Sequence, residues 1–305
     1  MEISRVMVLA AALVLCGGLQ AKETESRTFD NGGSGDYKAI MVGDESLPTH
    51  TIFRPQDLSQ FSKSNPLPVL VWGNGGCANS PSGHINFLNE IASQGFIVIA
   101  IGPMPTGQGG GFGGGMGGGN RPQGAQSQLL DALDWITAQN ADKTSQYYGK
   151  IDLKNVAAAG MSCGGLQAYQ VSADPRIKTV MICNSGLFNN GGGSMMGGMP
   201  NIPKEDLNKI KVPMLYILGG PTDIAYENGM DDFKRLEKIP AFVCNFNVGH
   251  GGTYTNPNGG EFGIVACAWL KWQLKGNQEA GTLFTGSPCG LSLREGWTTD
   301  KKNIP

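Results

Sequence analysis

The chain has 305 residues, a formal net charge of −2 and 40% hydrophobic residues, enough apolar material for one large core. No Lys/Arg cluster alternates with aromatic residues, which excludes a nucleic-acid surface. No charged or Pro-rich linker divides the chain, so a single domain is expected over residues 22–305.

The first residues read as an export signal. Arg5 precedes the apolar run "VMVLAAALVLCGGL" (Val6 to Leu19), and the small-residue "LQA" (Leu19 to Ala21) comes just before polar "KETES". This order predicts a signal peptide over residues 1–21 and a secreted or periplasmic protein. The run is too short to cross a bilayer comfortably, so no stable membrane span is expected. Cys16 would be the lipidated residue of a lipoprotein, but bulky Leu15 stands where such sites carry Gly, Ala or Ser. Plain export is the reading adopted. In an oxidising compartment the remaining cysteines (Cys77, Cys163, Cys183, Cys244, Cys267, Cys289) are able to hold disulfides. No CxxC or HxxxH spacing occurs, so no metal and no cofactor are expected.

Next come short, β-rich apolar runs alternating with helix-period segments. "VLVWG" (Val69 to Gly73), "FIVIAIG" (Phe96 to Gly102), "VAAAGM" (Val156 to Met161), "TVMICN" (Thr179 to Asn184), "PMLYILGG" (Pro213 to Gly220) and "AFVCNFNV" (Ala241 to Val248) read as strands buried on both faces. Helical spacing appears in His84 to Gln94, Gln126 to Gln139 and Phe262 to Leu274. This rhythm predicts an α/β fold: a mainly parallel, doubly wound sheet with helices on both faces. Two Gly/Met-rich insertions, at residues 107–122 and 189–203, leave strand carboxyl ends, the side on which an open sheet binds ligands. With Met116, Met195, Met196, Met199, Phe112 and Phe188, they are expected to form a mobile apolar rim able to adapt to varied apolar groups and poorly suited to highly charged ones.

Gly160-x-Ser162-x-Gly164 lies within "NVAAAGMSCGGLQAY". With 47 glycines and 18 serines in the chain, chance alone supplies about 0.4 such matches. Context decides. A buried strand precedes Ser162, a helix ending before Pro175 follows, and small residues flank the serine as a tight strand-to-helix turn requires.

A serine nucleophile needs a base, itself oriented by a third group. Of the three histidines, His50 lies in an early strand-like "THTIF" and His84 opens a helix. His250, just past a strand end in "FNVGHGGTYTNP", is the candidate base. Asp223, in "YILGGPTDIAYENG", is the candidate acid. Asp231 and Asp232 are expected to begin the next helix, where a carboxylate ordinarily just favours the dipole.

The order Ser162, Asp223, His250 is that of α/β-hydrolases. "GMSCGG", "GGPTDIAY" and "VGHGGTY" resemble the secreted α/β-hydrolase superfamily, carboxylesterase type, related to dienelactone-hydrolase and polyester-hydrolase folds. The resemblance runs from Tyr37 to Leu274, and the tail after Leu274 is similar to the closing segment of the same subgroup. It implies an eight-stranded sheet and an esterase triad of Ser162, Asp223 and His250. The two Gly/Met-rich insertions stand outside the family pattern.

Acyl transfer also needs donors aimed at the developing oxyanion. The N–H of Cys163 is one candidate. The loop "WGNGGCANS" offers others at Gly75, Gly76 and Cys77, with Gly76 and Cys77 preferred. "GNGG" lacks the lysine and Ser/Thr of a phosphate-binding loop. Cys163 is expected to bridge to Cys77 or Cys183 rather than act as a thiol nucleophile. The expected activity is cofactor-independent hydrolysis of small-molecule or polymeric esters. The alternatives are a peptidase or acyltransferase with the same triad, or a catalytically silent binding protein.

Overall fold

The computed structural model describes residues 22–105, 125–189 and 199–305. The signal peptide and the 107–122 insertion expected from the sequence lie outside the described residues, as do residues 190–198 of the second insertion.

Ten strands form one sheet: β1 (Glu23–Arg27), β2 (Ala39–Asp44), β3 (His50–Pro55), β4 (Leu67–Gly73), β5 (Ile97–Ile101), β6 (Ile151–Met161), β7 (Ile177–Cys183), β8 (Met214–Leu218), β9 (Ala241–Phe246) and β10 (Trp297–Lys302). Their order is β1-β2-β3-β5-β4-β6-β7-β8-β9-β10. The centre from β5 through β9 is parallel, and the pairs at both margins are antiparallel. The helices are α1 (Ile85–Ser93), α2 (Ala125–Ala141), α3 (Cys163–Val171), α4 (Tyr226–Arg235), α5 (Gly260–Lys275) and the short α6 (Gln278–Gly281).

The strand runs are continuously apolar because the sheet is covered on both sides. In β4, Val69 and Val71 pack with Leu133 of α2, Leu166 of α3 and Phe233 of α4 in one core, whereas Leu70 and Trp72 pack with Leu88 of α1 and Trp269 of α5 in the other. Alternation of side chains along a strand sends successive residues to opposite layers. This is the doubly wound α/β arrangement that the sequence predicts.

The sheet has two strands beyond the expected eight. β2 to β9 make the eight, and β1 ("ETESR") and β10 ("WTTDKK") extend them at the two edges. Both edge strands are polar and largely solvent-facing. Apart from Trp297, which packs on Phe246 and Phe262, they present no apolar side chains to the core, so no apolar run announces them. A second difference concerns Asp231 and Asp232, which lie inside α4 and not at its start, because the helix already begins at Tyr226.

His50 opens β3 and is buried, with Nδ1 2.9 Å from the Thr49 hydroxyl and Nε2 donating to the Gln128 carbonyl at 2.9 Å. Both ring nitrogens are occupied, and burial pushes its pKa down. Its surroundings are those of a neutral core residue.

The seat of α3 on the sheet rests on missing side chains. A Cβ built on Gly164 would lie 2.0 Å from the Gly73 carbonyl oxygen at the end of β4, and one on Gly160 would lie 2.3 Å from the Gly164 backbone. These neighbours are backbone atoms and have no rotamer into which to retreat. Gly164→Ala is therefore expected to cost about 3 kcal/mol, the upper end of overpacking penalties, read as a lowered Tm. Gly83→Ala, whose Cβ would meet open space, serves as the control and should leave Tm unchanged.

Candidate active site

Ser162 sits between β6 and α3 with φ +53° and ψ −116°, a conformation rarely adopted by a residue with a side chain and costing on the order of 1–3 kcal/mol. Its surroundings hold it there. The Ser162 N–H donates to the Cys183 carbonyl at 2.9 Å, and its own carbonyl accepts from the Ser185 hydroxyl at 2.7 Å and the Gly165 N–H at 2.9 Å. The turn lifts the hydroxyl above the carboxyl ends of the central strands, where β4, β6 and β7 lie side by side.

His250 comes four residues after β9. Its loop is docked across the end of β8, with the N–H groups of Val248 and Gly249 both donating to the Gly219 carbonyl, at 3.1 and 2.8 Å. A Cβ on Gly219 would lie 2.0 Å from the Gly249 carbonyl oxygen, so this crossing also depends on glycine. His250 Nε2 is 3.0 Å from Ser162 Oγ, and Nδ1 is 2.6 Å from Asp223 Oδ1.

Asp223 is buried in the turn between β8 and α4. It accepts from the Gly219 N–H at 3.0 Å, the Ala225 N–H at 2.9 Å and the Asn184 amide at 2.7 Å, besides facing His250. Burial works to raise the Asp223 carboxyl, but the hydrogen bonds from His250, Ala225, Gly219 and Asn184 outweigh it and hold the group below the ordinary carboxylate range. An ionised carboxylate only accepts, so Nδ1 carries the imidazole proton and Nε2 is left as an acceptor for the Ser162 hydroxyl.

Asn184, the residue just after β7, belongs to none of the motifs in the sequence. Its side chain donates to Asp223 Oδ2 at 2.7 Å and to the Gly249 carbonyl at 3.3 Å, and its Oδ1 accepts from the Tyr254 hydroxyl. It thus ties the acid to the histidine loop. The available signal is a single amide ending a buried apolar run, in "TVMICN".

On the other side of Ser162, residues Gly75–Cys77 form a tight turn after β4, with Gly76 at φ +64° and Cys77 at φ +50°. The Asn74 side chain donates to the carbonyls of Ile101 and Ala78, at 2.7 and 3.0 Å, and so holds the base of this loop. Cys77 is disulfide-bonded to Cys163, with Cα atoms 5.1 Å apart. Of the two partners open to Cys163, Cys183 is instead buried in the core between the sheet and α1 and α5. Among the described residues, Cys183, Cys244, Cys267 and Cys289 are free and buried. As the first residue of α3, Cys163 has an N–H with no acceptor four positions back in its own helix. It lies beside the nucleophile candidate and across the disulfide from the Gly76 turn.

These groups open onto a cleft of about 470 Å³, within the size range of small-molecule sites. Its walls are mainly apolar, with Met161, Leu166, Phe188, Met199 and Ile224 around Ser162 and His250. Ile224 is 76% exposed at the mouth. Phe188, just before the second Gly/Met-rich insertion, and Met199, within it, therefore border the cleft. No group of His, Cys, Asp or Glu able to hold a metal occurs among the described residues.

His84 also borders the cleft but is buried, edge-on to Trp72 and Tyr254 at centroid distances of 5.2 and 5.1 Å. Burial holds its pKa down to about 3, from an ordinary 6.5. Between these two values the unfolded chain binds the proton that the folded chain refuses. The stability conferred by neutral His84 is thus complete above about pH 6.5 and is lost on the order of a few kcal/mol as pH falls toward 3. His84→Phe keeps a ring against Trp72 and Tyr254 and takes no proton. Thermal unfolding followed against pH should show a flatter acid limb for that variant, and identical slopes would refute the assignment.

Residues 75–185 match the family model described as PET hydrolase-like, a stretch that runs from the turn after β4, through Ser162, to the end of β7. No curated protein matches the chain. Over residues 75–185 the chain is similar to PET hydrolase-like proteins, and its mostly parallel sheet covered by helices on both sides is the α/β-hydrolase arrangement that this similarity implies.

Proposed function

We propose that the protein is an exported serine hydrolase that cleaves carboxylic esters through an acyl-enzyme. The observation that carries this reading is the continuous chain Ser162 Oγ–His250 Nε2 at 3.0 Å and His250 Nδ1–Asp223 Oδ1 at 2.6 Å, placed at an apolar cleft. In the proposed reaction His250 Nε2 takes the hydroxyl proton as Ser162 Oγ bonds to the acyl carbon. The carbonyl oxygen becomes an oxyanion, met by the N–H of Cys163 and a donor from the Gly76–Cys77 turn. Collapse breaks the bond to the alcohol oxygen, and His250 returns the proton to that leaving group. Water then attacks the acyl-enzyme by the same route, regenerating Ser162. Asp223 keeps the proton of the resting imidazole on Nδ1 and balances the positive charge that the ring carries between transfers.

The disulfide supports residence in an oxidising compartment, in keeping with a signal peptide over residues 1–21 and one mature domain over 22–305. Among the described residues no helix is long and apolar enough to cross a membrane. The apolar cleft suits a small ester or a chain end of a polymeric one, and it offers little to a strongly charged substrate.

A fluorophosphonate probe should label Ser162 alone, and Ser162→Ala should abolish both label and ester turnover. A label on another serine would overturn the proposal, and a panel of matched esters and amides separates esterase from peptidase. Asp223→Asn should keep the fold but lower kcat by about 10⁴, because an amide favours the wrong tautomer. Asn184→Ala removes a hydrogen bond to a buried charge, about 1.5–3 kcal/mol. Steady-state kinetics should show kcat lowered by about 10–100-fold, with KM little changed.

A further inference from the structure

Asp232 is fully buried in the middle of α4, away from the groups that would carry the reaction. A carboxylate in that position is costly unless every lone pair is met. Here Oδ2 accepts from the Leu187 N–H at 2.7 Å and the Tyr169 hydroxyl at 2.7 Å, while Oδ1 lies 2.6 Å from the Lys204 ammonium. Lys204 is itself buried and also donates to the Asn228 carbonyl, at 3.2 Å. Burial still pushes the Asp232 carboxyl up from its ordinary range, against the pull of Lys204 and its donors.

The partners of this carboxylate are informative by their place in the chain. Leu187 immediately precedes Phe188, and Lys204 follows Met199 by five residues. Phe188 and Met199 are two apolar walls of the cleft. One carboxylate therefore holds the residue before Phe188 and a residue shortly after Met199. The same helix also seats the approach to this segment at backbone level: a Cβ on Gly186 would lie 2.3 Å from the Gly229 nitrogen. Just before it, Ser185 holds the Ser162 carbonyl. Through α4, the chain leading into Phe188 is registered against the serine.

We infer that Asp232, with Lys204, is a positioning residue for acyl selectivity: it holds the chain beside Phe188 and near Met199, so that these two side chains wall a cleft that accepts an extended apolar acyl or aryl group. This inference rests on the esterase reading of the cleft. A purely structural role would make Asp232 a stabiliser whose loss affects all substrates alike. A clamp predicts a split by substrate length, because an extended acyl group covers more of the apolar lining than a short one does.

The test compares wild type with Asp232→Asn and Lys204→Met on p-nitrophenyl acetate and p-nitrophenyl octanoate, alongside the rate of Ser162 labelling by a fluorophosphonate. The Kd of p-nitrophenyl octyl ether, which contains no ester, is measured in parallel. The clamp predicts acetate turnover and labelling within about twofold of wild type, with KM for octanoate and Kd for the ether raised about tenfold or more. The double variant should lose less than the sum of the two single losses, since both remove the Asp232–Lys204 contact. Equal losses on acetate and octanoate, or unchanged octanoate KM and ether Kd, would overturn the inference. Should Asp232→Asn fail to fold, Lys204→Met, which keeps the Leu187 and Tyr169 bonds, makes the same comparison. A wild-type protein that cleaves neither ester and takes no label would refute the esterase reading, while the ether Kd would still judge the clamp.

Discussion

The site depends first on the close approach of three backbones. The ends of β4 and β6 and the first turn of α3 meet at Gly73, Gly160 and Gly164, where any Cβ would strike main-chain atoms. Only with those atoms missing does α3 start low enough over the sheet for Ser162 to be forced into its positive-φ turn. The strain is sustained because the Ser162 N–H and carbonyl are both tied to the chain around the end of β7. Neighbouring strands then determine what surrounds the hydroxyl: the turn after β4 on one side, and the loops after β8 and β9 on the other.

Two buried carboxylates organise that second side, and the contrast between them is one of partners. Asp223 collects backbone N–H groups and the Asn184 amide, and directs its remaining capacity at a half-exposed imidazole. Asp232 is matched to a buried ammonium, a phenol and a backbone N–H. An interior charge persists where its hydrogen-bonding capacity is met, and both groups satisfy that condition. Because their partners come from several loops, each charge fixes the relative placement of segments far apart in sequence.

Much of this was legible in the chain. β4 through β9 announce themselves because both their faces are buried, so every residue of runs such as "VLVWG" is apolar. β1 and β10 do not, since an edge strand is held by main-chain pairing that its side chains need not advertise. Ser162, Asp223 and His250 stand out as candidates because each follows an apolar run at a strand's carboxyl end, and the structure brings them within hydrogen-bonding distance. Asn184 occupies an equivalent position but lacks a motif, and its importance emerges only when the loops bearing Asp223 and Gly249 close over it. Asp232 is illegible for a related reason. Its helix begins earlier than the acidic pair suggests, and its burial depends on Lys204, which approaches from a different part of the chain.

The Cys77–Cys163 bond spans a sequence separation of 86 residues, and its influence therefore extends to the unfolded chain. Cross-linking a loop of that length removes about 4–5 kcal/mol of denatured-state freedom in the chain-entropy view. The loop encloses α1, β5, α2 and β6, so those elements can no longer wander independently of one another once the bond is made. In the folded chain the two sulfurs meet where β4 and β6 are paired and α3 is docked. The bond thus records that the centre of the sheet has assembled, and it makes that assembly hard to undo at the point where the nucleophile candidate stands.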